Sequence, residues 1–463
     1  MNSILHDSNL KITSLVEKFM KNTLKNSANE FALTDFTDNL MDSLMELGRN
    51  IVKEVVEITE EAIYESESRK KYYSALDKKG RNLLTVFGQI SFKRRLYYEI
   101  KDTENVIFLT DKCLDILEDE RMLKNVEEKL ITTATTSSYE KAGEKASYGE
   151  KISKQTVKNK INNLKFNVVP YKIPEVKREC SNLYVQADED HVSLQEGGIA
   201  MPRIVTIHEG TENGRLINPY TICGLYEEDT DGLWEYVLEY IENVYNYEKI
   251  NRIHILGDGA NWIKKGTEWL VKSTYIADKF HIYKAINAIA GTKKEVRELL
   301  RESIFELDFD EFEANCETII EKETNESKKA ALSKLLKYIL NNKDGIKKFI
   351  LWDIPGCSAE GHVSHILSAR LSSRPLGWSK ENVDNMARLR AMQANGEDIR
   401  VITRNRLNMS KKQREQIEEN IKIKKKVTRK IKYNDTTFSV PQLTFGDKET
   451  RMKLKDLLAY KAI

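Results

Sequence analysis

Hydrophobic residues change their spacing several times along the 463-residue chain, and each change marks a predicted element. Near the N-terminus Leu40, Leu44, Leu47, Ile51, Val55, Ile58 and Ala62 recur every three or four residues, which predicts one long amphipathic helix. The steps break strict heptad order, so a core-facing stripe and a dimer contact both fit. LLTVFGQISFKRRLYYEI then reads as a hairpin turning near Gly88, with Lys93, Arg94 and Arg95 offered to phosphates. Over residues 122–165 three short helical segments follow, with a polar turn before the last. In that last segment Ser153 caps, Val157 and Ile161 face inward, and Lys154, Gln155, Lys158, Asn159 and Asn162 face out.

From Tyr184 the period changes to that of strands. YVQADEDHVSLQ, IAMPRIVTIHEG and YTICGLYEE are strand-like runs separated by turn-prone Glu-Gly-Gly and Asn-Gly. Leu233, Tyr236, Val237, Tyr240, Ile241 and Val244 then recur at helical spacing. RIHILGDGA is an apolar strand ending in a Gly-Asp-Gly turn, NWIKKGTEWLVKS is helical, and TYIADKFH is again strand-like. The order is βββαβαβ, which is the layout of a ribonuclease H-like core. From Tyr283 to about residue 346 the chain is polar, helical and rich in Glu and Lys, as a helical insertion would be.

Three carboxylates stand out on this frame: Asp188 within the first strand, Asp258 in the turn after the fourth, and Glu360 at the start of a late helix. Each has an ordinary explanation as well. Asp-Gly is a common turn dipeptide, and Glu360 follows Ser358, a helix N-cap candidate whose first turn favours an acid. Asp188 is harder to explain away, because an acid in an apolar strand costs stability unless something pairs with it. Asp190 lies two residues on and would share its face, so spacing leaves Asp190 as an alternative, with Asp188 favoured by its apolar flanks. Three acids drawn from separate elements are what a pair of hard divalent cations, Mg²⁺ or Mn²⁺, needs to work on a phosphodiester.

Composition narrows the options further. With 74 Lys+Arg against 72 Asp+Glu the chain is nearly neutral, which excludes a uniformly basic DNA-coating protein and leaves local patches. Such patches are Arg370, Arg374, Arg388 and Arg390 with Trp378 interleaved, suited to phosphate binding and stacking, and the run KIKKKVTRKIK in a basic tail. The five cysteines form no Cys-x-x-Cys pair, so a zinc ribbon is not expected. His362 and His365, three apart on the helix of Glu360, are read first as surface or DNA-facing, with support of the metal-binding acids and zinc ligation as the alternatives. No signal-peptide pattern and no 18-residue apolar run is present, and a cytoplasmic protein is expected.

Five segments in fixed order carry a family resemblance: TVFGQISFKRRLYYE, YVQADEDHVSLQ, GDGANWIKKG, DKFHIYKAI and SARLSSRPLGWSKENVDNMARLRA. Together they resemble the ISLre-type group of bacterial insertion-sequence transposases, related to the Mutator superfamily. The resemblance spans nearly the whole chain. It implies a DDE transposase that binds terminal inverted repeats, cuts element ends with water and joins the freed 3′-hydroxyl to target DNA. It makes Asp188, Asp258 and Glu360 the metal-binding acids, with Asp278 and His281 as an Asp-x-x-His pair behind them.

The expected organisation is a helical region with a hairpin over 1–105, a helix-turn-helix domain over 106–175, a split ribonuclease H-like core over 180–285 and 347–400, a helical insertion over 286–346, and a basic tail over 401–463. The expected partners are DNA and further copies of this chain, in the first instance a dimer. A DNA-binding protein that has lost catalysis and a structure-specific nuclease are the competing readings.

Overall fold

The computed structural model describes residues 2–25, 32–117, 120–164, 169–352, 354, 356–373, 377–401 and 403. Arg374 and the basic tail from residue 404 lie outside the described residues. Helices α1 (Asn2–Lys25) and α2 (Ala32–Glu65) pack together and lead through α3 (Glu67–Tyr72) to a three-stranded antiparallel sheet. Its strands are β1 (Tyr73–Thr85), β2 (Gly88–Glu99) and β3 (Asp102–Ile107), and Thr85 pairs with Gly88 at the tip of the expected hairpin.

The stripe read on α2 is not the face that packs on this sheet. Val56 and Glu60 are the buried residues, whereas Leu44, Val55 and Ile58 are exposed. Glu60 faces inward because it accepts from the Arg95 backbone N–H and guanidinium and from the Thr110 hydroxyl. Arg94 is likewise turned inward, its Nε 2.6 Å from Asp111, which Arg81 also pairs. Arg94 and Arg95 are therefore committed to internal ion pairs and not to phosphate, while Lys93 is exposed.

Helix α4 (Leu109–Cys113) leads into a tri-helical unit of α5 (Lys124–Thr136), α6 (Tyr139–Lys145) and α7 (Lys154–Asn162). Ser138 and Ser153 cap α6 and α7 through their side chains. Val157 and Ile161 are fully buried, as their spacing requires, and join a hydrophobic core that continues into the central sheet.

The central sheet contains β4 (Asn182–Glu189), β7 (Arg203–His208), β10 (Tyr220–Gly224), β11 (Arg252–Gly257) and β12 (Ser273–Ala277). Two short pairs, β5 (Val192–Ser193) with β6 (Ile199–Ala200) and β8 (Thr211–Glu212) with β9 (Arg215–Leu216), decorate its loops. The strand order is β10-β7-β4-β11-β12, antiparallel across the first three and parallel across the last three. Helix α8 (Thr230–Val244), capped by Asp229, carries the chain from the β10 edge back to β11 beside β4. Its buried residues include all six apolar positions read from the sequence.

Alternation then divides the sheet into two faces. Val185, Ala187, Ile253 and Ile255 join the main core, whereas Tyr184, Gln186 and Asp188 of β4 share the other face with His254 and Leu256 of β11. That second face is covered by segments beyond the insertion, including Phe349, Trp352 and Cys357 against Tyr184 and Leu256. Short helices α9 (Asn261–Lys264) and α10 (Gly266–Trp269) join β11 to β12.

After β12, α11 (Lys279–Ala290), α12 (Lys294–Phe305), α13 (Phe309–Glu321) and α14 (Glu326–Leu340) build a separate core around Ile286, Leu300, Phe312, Leu336 and Ile339. Helix α15 (Lys343–Leu351) returns the chain against β12. Helix α16 (Ala359–His362) runs through a π-helical turn (Val363–Ser368) into α17 (Ala369–Leu371), and α18 (Lys380–Ala394) lies along β10. No helix among the described residues is long and apolar enough to cross a membrane.

Candidate metal centre

Burial of β4 places Asp188 at the C-terminal end of a strand flanked on both sides by other strands, with only 7% of its surface exposed. Its Oδ1 accepts from the Glu189 N–H at 2.8 Å, and its Oδ2 is buried with no hydrogen-bond partner. Burial pushes its pKa up to about 6, with the nearby charges of Asp258 and Glu360 acting in the same direction. A positive charge beside such a carboxylate would stabilise its ionised form.

Asp258 leaves β11 in a tight turn, its Oδ1 accepting from the Ala260 N–H at 2.9 Å. The two glycines beside it have different reasons. At Gly257 a Cβ would meet the Ala187 carbonyl at 2.7 Å, so strand packing excludes a side chain. Gly259 has φ +92° and abuts Asn342, which leaves glycine as the residue that fits.

Asp278 caps α11, accepting from the Phe280 N–H, while its own N–H donates to the Gly257 carbonyl at 2.8 Å. Its other oxygen stands 2.9 Å from His281 Nδ1. This partner fixes the ring so that Nε2 points toward Glu360 Oε2, 3.9 Å away. The hydrogen bond to Asp278, followed by the charges of Asp278, Asp188 and Asp258, raises the His281 pKa against the opposing effect of burial.

One ligand atom from each of Asp188, His281 and Glu360 lies within 4.8 Å of the others, a spacing that one cation can span. The structure thus brings two of the three expected acids together with His281, which the sequence put behind them. Asp258 lies outside that tight group but acts electrostatically on Asp188, Glu189 and His281. Carboxylate oxygens and an imidazole held by a second carboxylate form a donor set that fits a divalent ion. The unpartnered Asp188 oxygen is the strongest local sign of it.

Asp190 belongs elsewhere. Strand β4 ends at Glu189, so alternation no longer governs Asp190, whose carboxylate accepts from the Ser372 hydroxyl at 2.8 and 3.0 Å. The arginine and tryptophan stripe is also corrected. Arg370 is buried, donates to the Ala134 carbonyl and stacks over Tyr139 and Trp378. Trp378 is buried with its indole N–H on the Leu371 carbonyl, and Arg388 is buried against Asp384 and Tyr226. Arg390, half-buried, donates to the His365 and Ile366 carbonyls. These side chains tie the post-insertion helices to the core, because a cation with several carbonyl and carboxylate acceptors in reach is satisfied internally.

On α7, by contrast, Lys154, Gln155 and Asn159 are exposed and Lys158 partly so, with Gln155 donating to Asn159 and Lys154 paired to Glu140. Asn162 turns instead to Glu381 of α18. His365 is exposed, and His362 is half-buried with Nδ1 unpartnered. Gln186 was not singled out by sequence reasoning, yet it is 2% exposed and bonded to Ser358 near Glu360. A glutamine two residues before an acid on a buried strand was the only available signal.

Comparison with known proteins adds a family. The uncharacterised protein family UPF0236 matches over residues 26–435. A UPF0236 protein of Caldanaerobacter subterraneus subsp. tengcongensis bearing eleven locus names is 38% identical over 404 residues, covering 86% of this chain and 85% of its own. Another from that organism, UPF0236 protein TTE2489, is 39% identical over 375 residues, 80% of each chain. A third, bearing four locus names, is 38% identical over 375 residues, 80% of this chain and 79% of its own.

Proposed function

The chain belongs to the UPF0236 family, and we propose that it is a DDE transposase of the ISLre type, acting on the ends of an insertion sequence. The observation that carries this reading is the convergence of Asp188, Glu360 and His281, with Asp258 close by, at one end of β4 and β11. The strand order β10-β7-β4-β11-β12 supports a ribonuclease H-like core, in which acids from separate strands and a late helix meet at this edge. The relative with eleven locus names in one organism fits a gene that multiplies within a genome.

Asp188, Asp258 and Glu360, with His281 alongside, would hold Mg²⁺ or Mn²⁺, which lowers the pKa of bound water and offsets charge on the phosphate. The residues supply the rest. Asp188, raised by burial, loses its proton where positive charge is near, and Asp278 orients His281 so that Nε2 faces the acids. In the first step water oxygen bonds to phosphorus and the 3′-oxygen of the element end leaves with a proton. In the second, that 3′-hydroxyl attacks a target phosphodiester and displaces another 3′-oxygen. Neither step needs a covalent protein intermediate, and helix α7 is suited to contact the terminal repeats with Lys154, Gln155, Lys158 and Asn159.

The test is cleavage and strand transfer on labelled DNA bearing the element's own ends, in Mn²⁺, Mg²⁺ or EDTA, with wild type and Asp258→Asn. Joined product that needs metal and disappears in the folded variant is expected. Cleavage without joining would move the assignment to a nuclease, and end binding with neither step to an inactive DNA-binding protein.

A further inference from the structure

Between Asp258 and Glu360 the chain leaves the sheet, builds α11–α14 with their own core and returns. Glu360 comes back on a four-residue helix whose N-cap, Ser358, makes no side-chain cap bond, and its side chain is 52% exposed. Although α16 continues through the π-helical turn into α17, burial does not fix the Glu360 carboxylate in its first turn opposite Asp188. Its position depends on what holds the backbone just before it.

Gln186 does that. It lies on β4 two residues before Asp188, on the same face of the sheet. Its Oε1 accepts from both the Ser358 N–H at 3.0 Å and the Ser358 hydroxyl at 2.8 Å, and its Nε2 faces the Gly356 carbonyl at 3.4 Å. The hydroxyl expected to cap α16 is engaged by this bond instead. One carboxamide thereby joins segments 172 residues apart, two residues from an acid on each side. A glutamate at 186 has no N–H to give and adds a charge beside Asp188; a leucine fills the space and leaves the Ser358 N–H and hydroxyl without their acceptor.

We propose that Gln186 is a positioning residue that, through Ser358, fixes Glu360 at metal-binding distance from Asp188. The inference rests on reading Asp188, His281 and Glu360 as a metal centre, and a site displaced by about 1 Å loses much of its affinity and rate.

The experiment measures Mn²⁺ binding to the full chain by titration calorimetry, beside thermal melting of the metal-free protein, for wild type, Gln186→Leu, Ser358→Ala, Ser358→Thr and Asp188→Asn. Gln186→Leu is expected to weaken Mn²⁺ at least tenfold and Ser358→Ala about threefold, as loss of one of two neutral hydrogen bonds implies. Ser358→Thr keeps both donors and restores wild-type affinity, and this pair carries the test if Gln186→Leu fails to fold. Adding Ser358→Ala to Gln186→Leu should cost nothing more, since both act through one interaction. Wild-type Mn²⁺ affinity in Gln186→Leu and Ser358→Ala, with binding abolished in Asp188→Asn, overturns the positioning role and leaves the metal centre standing. Unchanged binding in Asp188→Asn overturns the metal centre itself, and the inference with it.

Discussion

Asp188 holds a buried carboxylate with one backbone donor on Oδ1 and none on Oδ2, a condition that disfavours the charged form. Its folded pKa is raised to about 6 from an ordinary value of 3.8. The folded protein therefore binds more protons than the unfolded chain between those values, and metal-free stability falls as pH rises through that window. Asp188→Asn removes the penalty. In EDTA the variant should be more stable than wild type at pH 8, by on the order of 2 kcal/mol, and should lose that advantage near pH 4. Melting curves at the two pH values check it, and a variant less stable than wild type at pH 8 would show that Asp188 is compensated within the protein. Glu360, between Ala359 and Gly361, stands out in the sequence only by its place at the start of a late helix. Asp188 and Asp258 were legible as candidates because each departs from its surroundings, one in an apolar strand and one between glycines. The choice between Asp188 and Asp190 was not, because it turns on where β4 ends and on Ser372, which is 182 residues away.

Helix α7 shows what periodicity can establish at the scale of an element. Val157 and Ile161 four residues apart fixed its inner face, and Ser153 its start, so the outward placement of Lys154, Gln155, Lys158 and Asn159 followed, while Asn162 turns to Glu381 of α18. On the proposed function, Gln155→Ala and Asn159→Ala should reduce the preference for element ends over unrelated DNA by ~1–3 kcal/mol for each base edge no longer read. Lys154→Ala and Lys158→Ala should instead weaken both DNAs alike and lower the slope of log affinity against log salt by about one each. Fluorescence anisotropy across a salt series separates the two classes, and four variants binding ends like wild type would remove α7 from the interface. Helix α2 was read less well for a physical reason. Hydrophobicity selects Leu44, Val55 and Ile58, but the sheet takes the adjacent line through Val56 and Glu60, and Glu60 is buried by three hydrogen bonds rather than by apolar character. The same blindness applies to Arg370 and Arg388, whose charge suggested DNA while their partners lie inside the protein.

Across the whole molecule, the helical core of α11–α14 is a separate hydrophobic cluster, yet it is not independent of the candidate site. Asn342, 3% exposed between α14 and α15, meets the Tyr275 hydroxyl at 3.1 Å and abuts Gly259 in the Asp258 turn. The same hydroxyl lies 3.2 Å from the Gly257 carbonyl, and Asn342 Nδ2 donates to the Tyr338 carbonyl. Asn342 and Tyr275 thus tie the junction of α14 and α15 to the turn that carries Asp258. Tyr275→Phe strips the donor from Asn342 Oδ1 and should cost about 1–3 kcal/mol of stability, the penalty of a buried acceptor left unmade. Asn342→Ala removes the acceptor, so the double variant should lose less than the sum of the two, with a coupling of about 0.5–3 kcal/mol. Denaturant melts of the four proteins give that number, and end-cleavage rates measured on the same preparations show whether the coupling extends to chemistry. Losses that simply add would mean that the insertion rests against the Asp258 turn without holding it.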